Sequence, residues 1–290
     1  MSEPALVVSA LTLFPVKSFA GTPMTSMELE IAGPRGDRRW MVVDEHGSTL
    51  TARSHPRMLA ARATSYDGGV HLRADGLPTL DVAEPSGPPD VPVQLTRLDT
   101  ATRAGDEADA WVSELLGQRA SLVWLDDPAR RGMAEKHGGT LADPLALTDT
   151  GPVHVTTTAS LRRLDAWAAE LHDERVARAL EKGEPAPPAR QALDMRRFRP
   201  NLVVDGDIEP FVEDGWARLV VGDAELRFAD HCGRCVLTTI DPDTQVKGKE
   251  PLASLARHRR RDGEVWFGIQ MVPVRAGRVA VGDRVEASAR

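Results

Sequence analysis

The stretch His231-Cys232-Gly233-Arg234-Cys235-Val236-Leu237-Thr238-Thr239-Ile240-Asp241-Pro242 holds both cysteines of this 290-residue chain. An arginine sits between the two sulfurs, and an apolar, β-branched run follows them. A cation beside a thiol favours its ionised form, and thiolate is the form that binds a soft or borderline metal. The leading reading is that one sulfur holds a metal cofactor and the rest of the chain shapes a pocket around it. Three other readings compete. A redox CxxC pair wants a helix after the motif, and the β-branched run argues against one. A zinc site needs four ligands; His231, Cys232 and Cys235 supply three, and the chain has no second pair. Both cysteines can also be buried as small apolar side chains, the usual fate of free cysteine.

Working outward, the chain reads as short strands separated by turns. Downstream, Pro251 opens a helix through about Arg260. Residues 266–286 are strands turning at Ala276-Gly277 and Gly282-Asp283. Upstream, Ala217 to Phe228 is a hairpin turning at Gly222-Asp223, and 201–205 and 152–157 are strands. Between those two, 159–172 is an amphipathic helix with Leu161, Leu164, Trp167, Ala168 and Leu171 on one face. Residues 173–197, charged and carrying Pro185, Pro187 and Pro188, read as an exposed insertion. In the first half, 5–16, 25–31 and 38–44 are strands. Residues 57–104 give a small antiparallel sheet or barrel, 106–116 a helix stopped by Gly117, and 121–125 a strand. Residues 126–147 are a long irregular loop. The sum is mainly β with some α, dividing into residues 1–122 and 123–290.

Composition excludes several classes. Hydrophobic residues are 41% and charged residues 27%, as in a globular protein with a proper core. The net charge of −7 argues against an extended nucleic-acid surface, so any anionic ligand needs a local basic cluster. Two cysteines make no disulfide scaffold, and no apolar run is long enough to span a bilayer. Met1-Ser2-Glu3-Pro4-Ala5 lacks the basic-then-apolar pattern of a signal peptide. The expected setting is a reducing cytoplasm, with no membrane partner.

Candidate anion-holding residues are scattered along the chain. Lys17-Ser18 stands at a strand exit, where a cation and a hydroxyl can hold a phosphate; a solvated lysine is the alternative. Arg38 and Arg39 are consecutive, so on a strand only one faces a given pocket. Arg199 precedes a strand and can fork onto a phosphate, or form a surface ion pair. The run Arg257-His258-Arg259-Arg260-Arg261 suits a helix C-terminus and is taken as structural. His154 reads first as a core histidine and second as a pocket residue. No dinucleotide-binding glycine motif, P-loop, HExxH or GxSxG is present, which removes the commonest nucleotide-binding, zinc-protease and serine-hydrolase readings.

Several stretches then match one pattern in order. They are Pro15-Val16-Lys17-Ser18, Gly36-Asp37-Arg38-Arg39-Trp40, Thr51-Ala52-Arg53, Pro56-Arg57, Phe198-Arg199-Pro200-Asn201, the cysteine stretch, Glu250-Pro251-Leu252, Phe267-Gly268 and Val281-Gly282-Asp283. Over nearly its whole length the chain resembles MOSC-domain proteins, in the branch of the mitochondrial amidoxime-reducing component and its bacterial relatives. The resemblance implies a MOSC β-barrel domain preceded by a smaller MOSC N-terminal β domain, whose first strands contribute to the cofactor site. It implies a molybdenum cofactor (Mo-molybdopterin) bound through Cys235. Lys17, Ser18, Arg38 and Arg199 match the residues that hold the pterin and its phosphate. Asp149, Thr150, Asn201 and Arg234 align near the same pocket.

By the same resemblance the chain reduces small N-hydroxylated substrates such as amidoximes and hydroxylamines. Bacterial relatives often append a ferredoxin domain. No cysteines remain here for an iron–sulfur cluster, so electrons are expected from a separate ferredoxin- or flavoprotein-type donor. Gln270 stands where some relatives have tyrosine, which bears on substrate preference. Two alternatives go with the leading reading: a carrier of the molybdenum cofactor, and a sulfur-transfer protein with a persulfide on Cys235.

Overall fold

The computed structural model describes residues 6–290, so the leader-free reading of Met1–Ala5 lies outside the described residues. The first strand is β1 (Leu6–Leu13). After three short strands (Thr22–Met24, Ser26–Glu30 and Gly33–Pro34) come β2 (Trp40–Val43) and the antiparallel set β3 (Arg62–Tyr66), β4 (Gly69–Arg73) and β5 (Leu80–Ala83). Next come β6 (Val91–Leu95), β7 (Leu98–Arg103), helix α1 (Asp106–Leu116) and β8 (Ser121–Trp124). Strands β6, β7, β8 and β2 form a sheet with Thr49–Leu50 at its edge. Helix α1 has the predicted bounds for the predicted reasons. Asp106, Glu107 and Asp109 sit in its first turn, and Gly117 ends it in the left-handed region at φ 68°. Its Trp111, Val112 and Leu115 pack in one core with Val42, Leu72 and Leu122.

The second half supplies β9 (Val153–Thr157), α2 (Thr158–Glu181), β10 (Leu202–Asp205), β11 (Trp216–Val221) and β12 (Ala224–Gly233). It continues with α3 (Leu252–His258), β13 (Glu264–Arg275) and β14 (Arg284–Ala289). These strands run in the order β9-β10-β1-β14-β11-β12-β13, and β13 pairs back onto β9, closing a seven-stranded barrel. The fold is mainly β with a few helices, as expected. One barrel strand, β1, comes from the far N-terminal end of the chain and pairs with both β10 and β14. The one parallel pair of the ring, β9 and β10, is bridged by α2, the crossover that a parallel connection requires.

Three local expectations are corrected. Helix α2 continues to Glu181 instead of stopping at 172. Residues 173–181 are mostly good helix formers, the prolines begin only at Pro185, and Arg175–Glu250 (3.2 Å) and Arg257–Glu174 (2.9 Å) tie the extension down. Arg38 and Arg39 are not on a strand, because β2 starts at Trp40 and Arg38 has φ 45°. The run after Cys235 is a 3-10 turn over Val236–Thr239. The hydroxyls of Thr238 and Thr239 donate to the carbonyls of Cys235 (3.0 Å) and Val236 (2.8 Å), a local bonding that competes with strand formation.

Alternation along the barrel strands decides where a site can form. Val153, Val155, Leu202, Val204, Ile269 and Met271 point into the barrel core. Their neighbours His154 and Gln270, which are paired in register, therefore face outward. The outer face of β9 and β13 becomes one wall of a hollow.

Candidate functional site

The hollow is assembled from segments far apart in sequence. After β1 the chain runs beside residues 38–40. Arg38 N donates to Phe14 O (2.7 Å), Trp40 N to Pro15 O (3.1 Å) and Lys17 N to Trp40 O (2.8 Å). This lacing brings Lys17, Ser18 and Arg38 to one wall. Arg199 joins them from the turn before β10, and Asp149 and Thr150 from the loop before β9. Arg234 and Cys235 close the ring from the end of β12, with Asn201 beneath. All nine residues that the resemblance places at the cofactor site therefore line the same hollow.

Ser18, Arg38 and Arg199 have φ of 72°, 45° and 57°, in the left-handed region that non-glycine residues avoid. Such strain persists only where the surroundings over-determine it, and it gathers at functional sites. Here the surroundings are specific. The guanidiniums of Arg38 and Arg199 lie 4.2 and 4.3 Å from the centre of the buried Phe14 ring. Arg38 also pairs with Asp37 and donates to Asn201 Oδ1 (3.0 Å) and Arg199 O (3.3 Å). Arg199 donates to Phe19 O (2.7 Å), and burial pushes its pKa down to about 9. Asn201 spends its amide on the protein, accepting from His154 N (3.2 Å) and donating to Thr12 O (3.2 Å) and Asp37 (3.1 Å). It holds Arg38 in place.

Lys17 is buried, and burial lowers its pKa against the pull of Asp149. Its ammonium donates to Leu147 O (2.8 Å) and pairs with Asp149, whose carboxyl that cation holds at about 2. The loop carrying Leu147 to Thr150 is fixed by a residue that sequence reading passed over. Arg131 is 1% exposed and donates to Thr96 O (3.0 Å), Ala146 O and Thr148 O (2.8 Å). Nothing about an arginine in an irregular loop announces that role.

The two sulfurs differ. Cys235 is exposed and Cys232 is buried; both are free thiols. Arg234 turns away from its sequence neighbour Cys235 and donates to Cys232 Sγ (2.8 Å) and Phe198 O (2.8 Å). The cation expected beside the reactive sulfur is thus spent on the other one. Register shifts on β12 between Phe228 and Asp230 and between His231 and Gly233 come just before Arg234 and Cys235, the kind of bulge that re-aims a side chain. Among the described residues no group of three or more His, Cys, Asp or Glu side chains is placed to hold a metal ion, so His231, Cys232 and Cys235 do not form a zinc-type set.

His154 and Gln270 complete the back wall, both buried. Burial, then the cations of Arg234 and Arg38, push the His154 imidazole well below its usual range, so it is neutral. Four buried polar atoms on lining residues have no hydrogen-bond partner: Thr148 Oγ1, His154 Nε2, Arg234 Nε and Gln270 Oε1. Unpaired buried polar atoms are costly in a folded chain, and their gathering around one hollow fits a polar bound group. The donor set of cations, hydroxyls and one accessible sulfur fits an anionic group with a thiophilic metal.

Comparison with known proteins agrees with this chemistry. Residues 5–119 match the MOSC N-terminal beta barrel domain, and residues 142–286 match the MOSC domain. The chain is 32% identical to mitochondrial amidoxime reducing component 2 of Rattus norvegicus, over 96% of this chain and 82% of that protein. It is 31% identical to mitochondrial amidoxime-reducing component 1 of Homo sapiens, with the same coverage. Molybdenum cofactor sulfurase of Danio rerio is 29% identical over 90% of this chain and 31% of its own length.

Proposed function

The chain belongs to the MOSC family, and on that footing we propose that it is a molybdenum-cofactor-dependent oxidoreductase reducing N-hydroxylated compounds with electrons from a separate donor protein. One observation carries the reading. In a chain of net charge −7, the cations of Lys17, Arg38 and Arg199 converge on a hollow whose mouth presents the exposed Cys235 sulfur. The anionic pterin phosphate of such a cofactor needs that local positive charge.

In this reading Cys235 ligates molybdenum, and Lys17, Ser18, Arg38 and Arg199 hold the pterin and phosphate. Asp149, Thr150, Asn201 and Arg234 complete or support the walls. The bound cofactor supplies two-electron chemistry at the metal. Overall an amidoxime takes up two electrons and two protons, the N–O bond breaks, and an amidine and water leave. The protein's groups limit where those protons come from. Asp149, held at about 2, is ionised at neutral pH, and His154 is buried and neutral. Asp149 therefore has no proton to deliver at neutral pH. Ferredoxin- and flavoprotein-type donors are the partners proposed. No helix among the described residues is long and apolar enough to cross a membrane. The proposed setting is the cytoplasm, where two free thiols persist.

The test is reduction of benzamidoxime to benzamidine by cofactor-loaded protein with a chemical electron donor. Product formation that requires loading supports the reading; a loaded protein that reduces no N-hydroxylated compound contradicts it. The similarity to a molybdenum cofactor sulfurase, together with the exposed Cys235, favours sulfur transfer as the second reading. A persulfide on Cys235 by mass spectrometry, in protein lacking molybdenum, would favour it.

A further inference from the structure

Arg131 is a buried cation that forms no ion pair among the described residues; its N–H groups go to backbone carbonyls instead. Burial, then Arg97, lowers its pKa to about 10, so it stays charged at neutral pH. Two of those carbonyls, Ala146 O and Thr148 O, belong to the loop that brings Asp149 to the hollow, and they set its orientation. A trans peptide points its N–H opposite to its C=O. Ala146 O turns back to Arg131, and the N–H of the same peptide, on Leu147, points the other way and donates to Arg38 O (2.9 Å). Leu147 O also points away from Arg131 and accepts from the Lys17 ammonium (2.8 Å). Arg38 and Lys17 line the hollow and Arg131 does not, so the side opposite Arg131 is the hollow side. Thr148 O again turns back to Arg131. This sends the Asp149 N–H to the hollow side, beside the ammonium that pairs with the Asp149 carboxylate. Among the described residues that N–H has no acceptor.

We propose that Arg131 is a positioning residue that holds the Asp149 N–H and the Lys17 ammonium together as one seat for an oxyanion such as a phosphate group. This rests on the reading above of the hollow as the site of an anionic cofactor. Lys17 has three N–H donors and spends two on Leu147 O and Asp149, which leaves one for the anion. A backbone N–H to an oxyanion is a charge-assisted hydrogen bond. The buried Arg131 charge offsets the Asp149 carboxylate, which would otherwise oppose an anion there.

The probe is inorganic phosphate on cofactor-free protein, read by calorimetry and by the amide NMR resonance of Asp149. In the wild type, phosphate is expected to bind and to move the Asp149 amide proton downfield, as a new acceptor does. Arg131→Lys keeps the charge but replaces a planar fork with a point donor. It is expected to weaken phosphate about tenfold and to shrink the amide shift. It should also lower molybdenum per chain in protein from a host that makes the cofactor. Val112→Ala truncates the α1 core away from the hollow and should lower stability while leaving phosphate affinity and the shift unchanged. A phosphate response that depends on Arg131, in protein that takes up no molybdenum, would support the seat while removing the cofactor reading. Phosphate that fails to bind, or binds without moving the Asp149 resonance, would overturn the proposal. So would an Arg131→Lys protein that matches the wild type, or equal losses in Arg131→Lys and Val112→Ala.

Discussion

At the scale of single residues, the cationic wall depends on Asp37. Its carboxylate is buried, accepts from Phe14 N (2.8 Å) and Asn201 Nδ2 (3.1 Å), and pairs with Arg38. Burial pushes its pKa up and Arg38 opposes that. Asp37→Ala strands a guanidinium, an amide and a backbone N–H at once. It is expected to cost about 3 kcal/mol in urea unfolding and to lower cofactor loading; Asp37→Asn costs less. The Lys17–Asp149 pair predicts a pH effect. Asp149 titrates near 2 in the folded protein against an ordinary 3.8, so its contribution to stability is present above about 4 and is lost as pH falls through about 2. Its carboxylate is 62% exposed, so the effect is modest, and Asp149→Asn should flatten the melting temperature across that window. That Lys17, Arg38, Arg199 and Cys235 share one hollow was legible from the resemblance, carried by short motifs around each, and not from the residues taken singly. Arg131 was not legible, because its role exists only as hydrogen bonds between segments distant in sequence.

At the scale of elements, a buried acid from the 3-10 turn Val212–Gly215 packs against the start of α2. Glu213 is fully buried, accepting from Ser160 Oγ (2.8 Å) and Thr157 Oγ1 (3.2 Å), and burial raises its pKa to about 7. The folded state then holds a proton that the unfolded chain has lost, so stability falls as pH rises from about 4.5 to about 7. Glu213→Gln should remove that slope and gain at most about 3 kcal/mol at pH 8, read by denaturant melts at several pH values. Gly268 on β13 is a second test. It has φ 76°, and a Cβ there would come within 2.5 Å of His154 Nε2 and 2.8 Å of Val155 O. Gly268→Ala is expected to destabilise by roughly 2 kcal/mol or more. Helix α1 could be read from acids and a terminal glycine that act locally. The extent of α2 and the turn after Cys235 could not, because α3 contacts and threonine back-bonding set them.

At the scale of the whole molecule, the matched domains cover residues 5–119 and 142–286, but the barrel draws on both. β1 fills the gap between β10 and β14, and the segment after it delivers Lys17 and Ser18. A fragment of residues 123–290 lacks that strand and should not unfold cooperatively, whereas the full chain should; a sharp melt from the fragment would contradict this. Closure by a strand so distant in sequence leaves no periodic trace, which is why strands were readable and their circular order was not. The hollow lies where these parts meet, and the proposed function turns on one sulfur holding one metal. The most direct measurement is molybdenum per chain, in protein purified from a host that makes the cofactor, for wild type and Cys235→Ala. Stoichiometric metal in the wild type and its loss in the folded variant is the predicted result; metal retained after the sulfur is removed would contradict it.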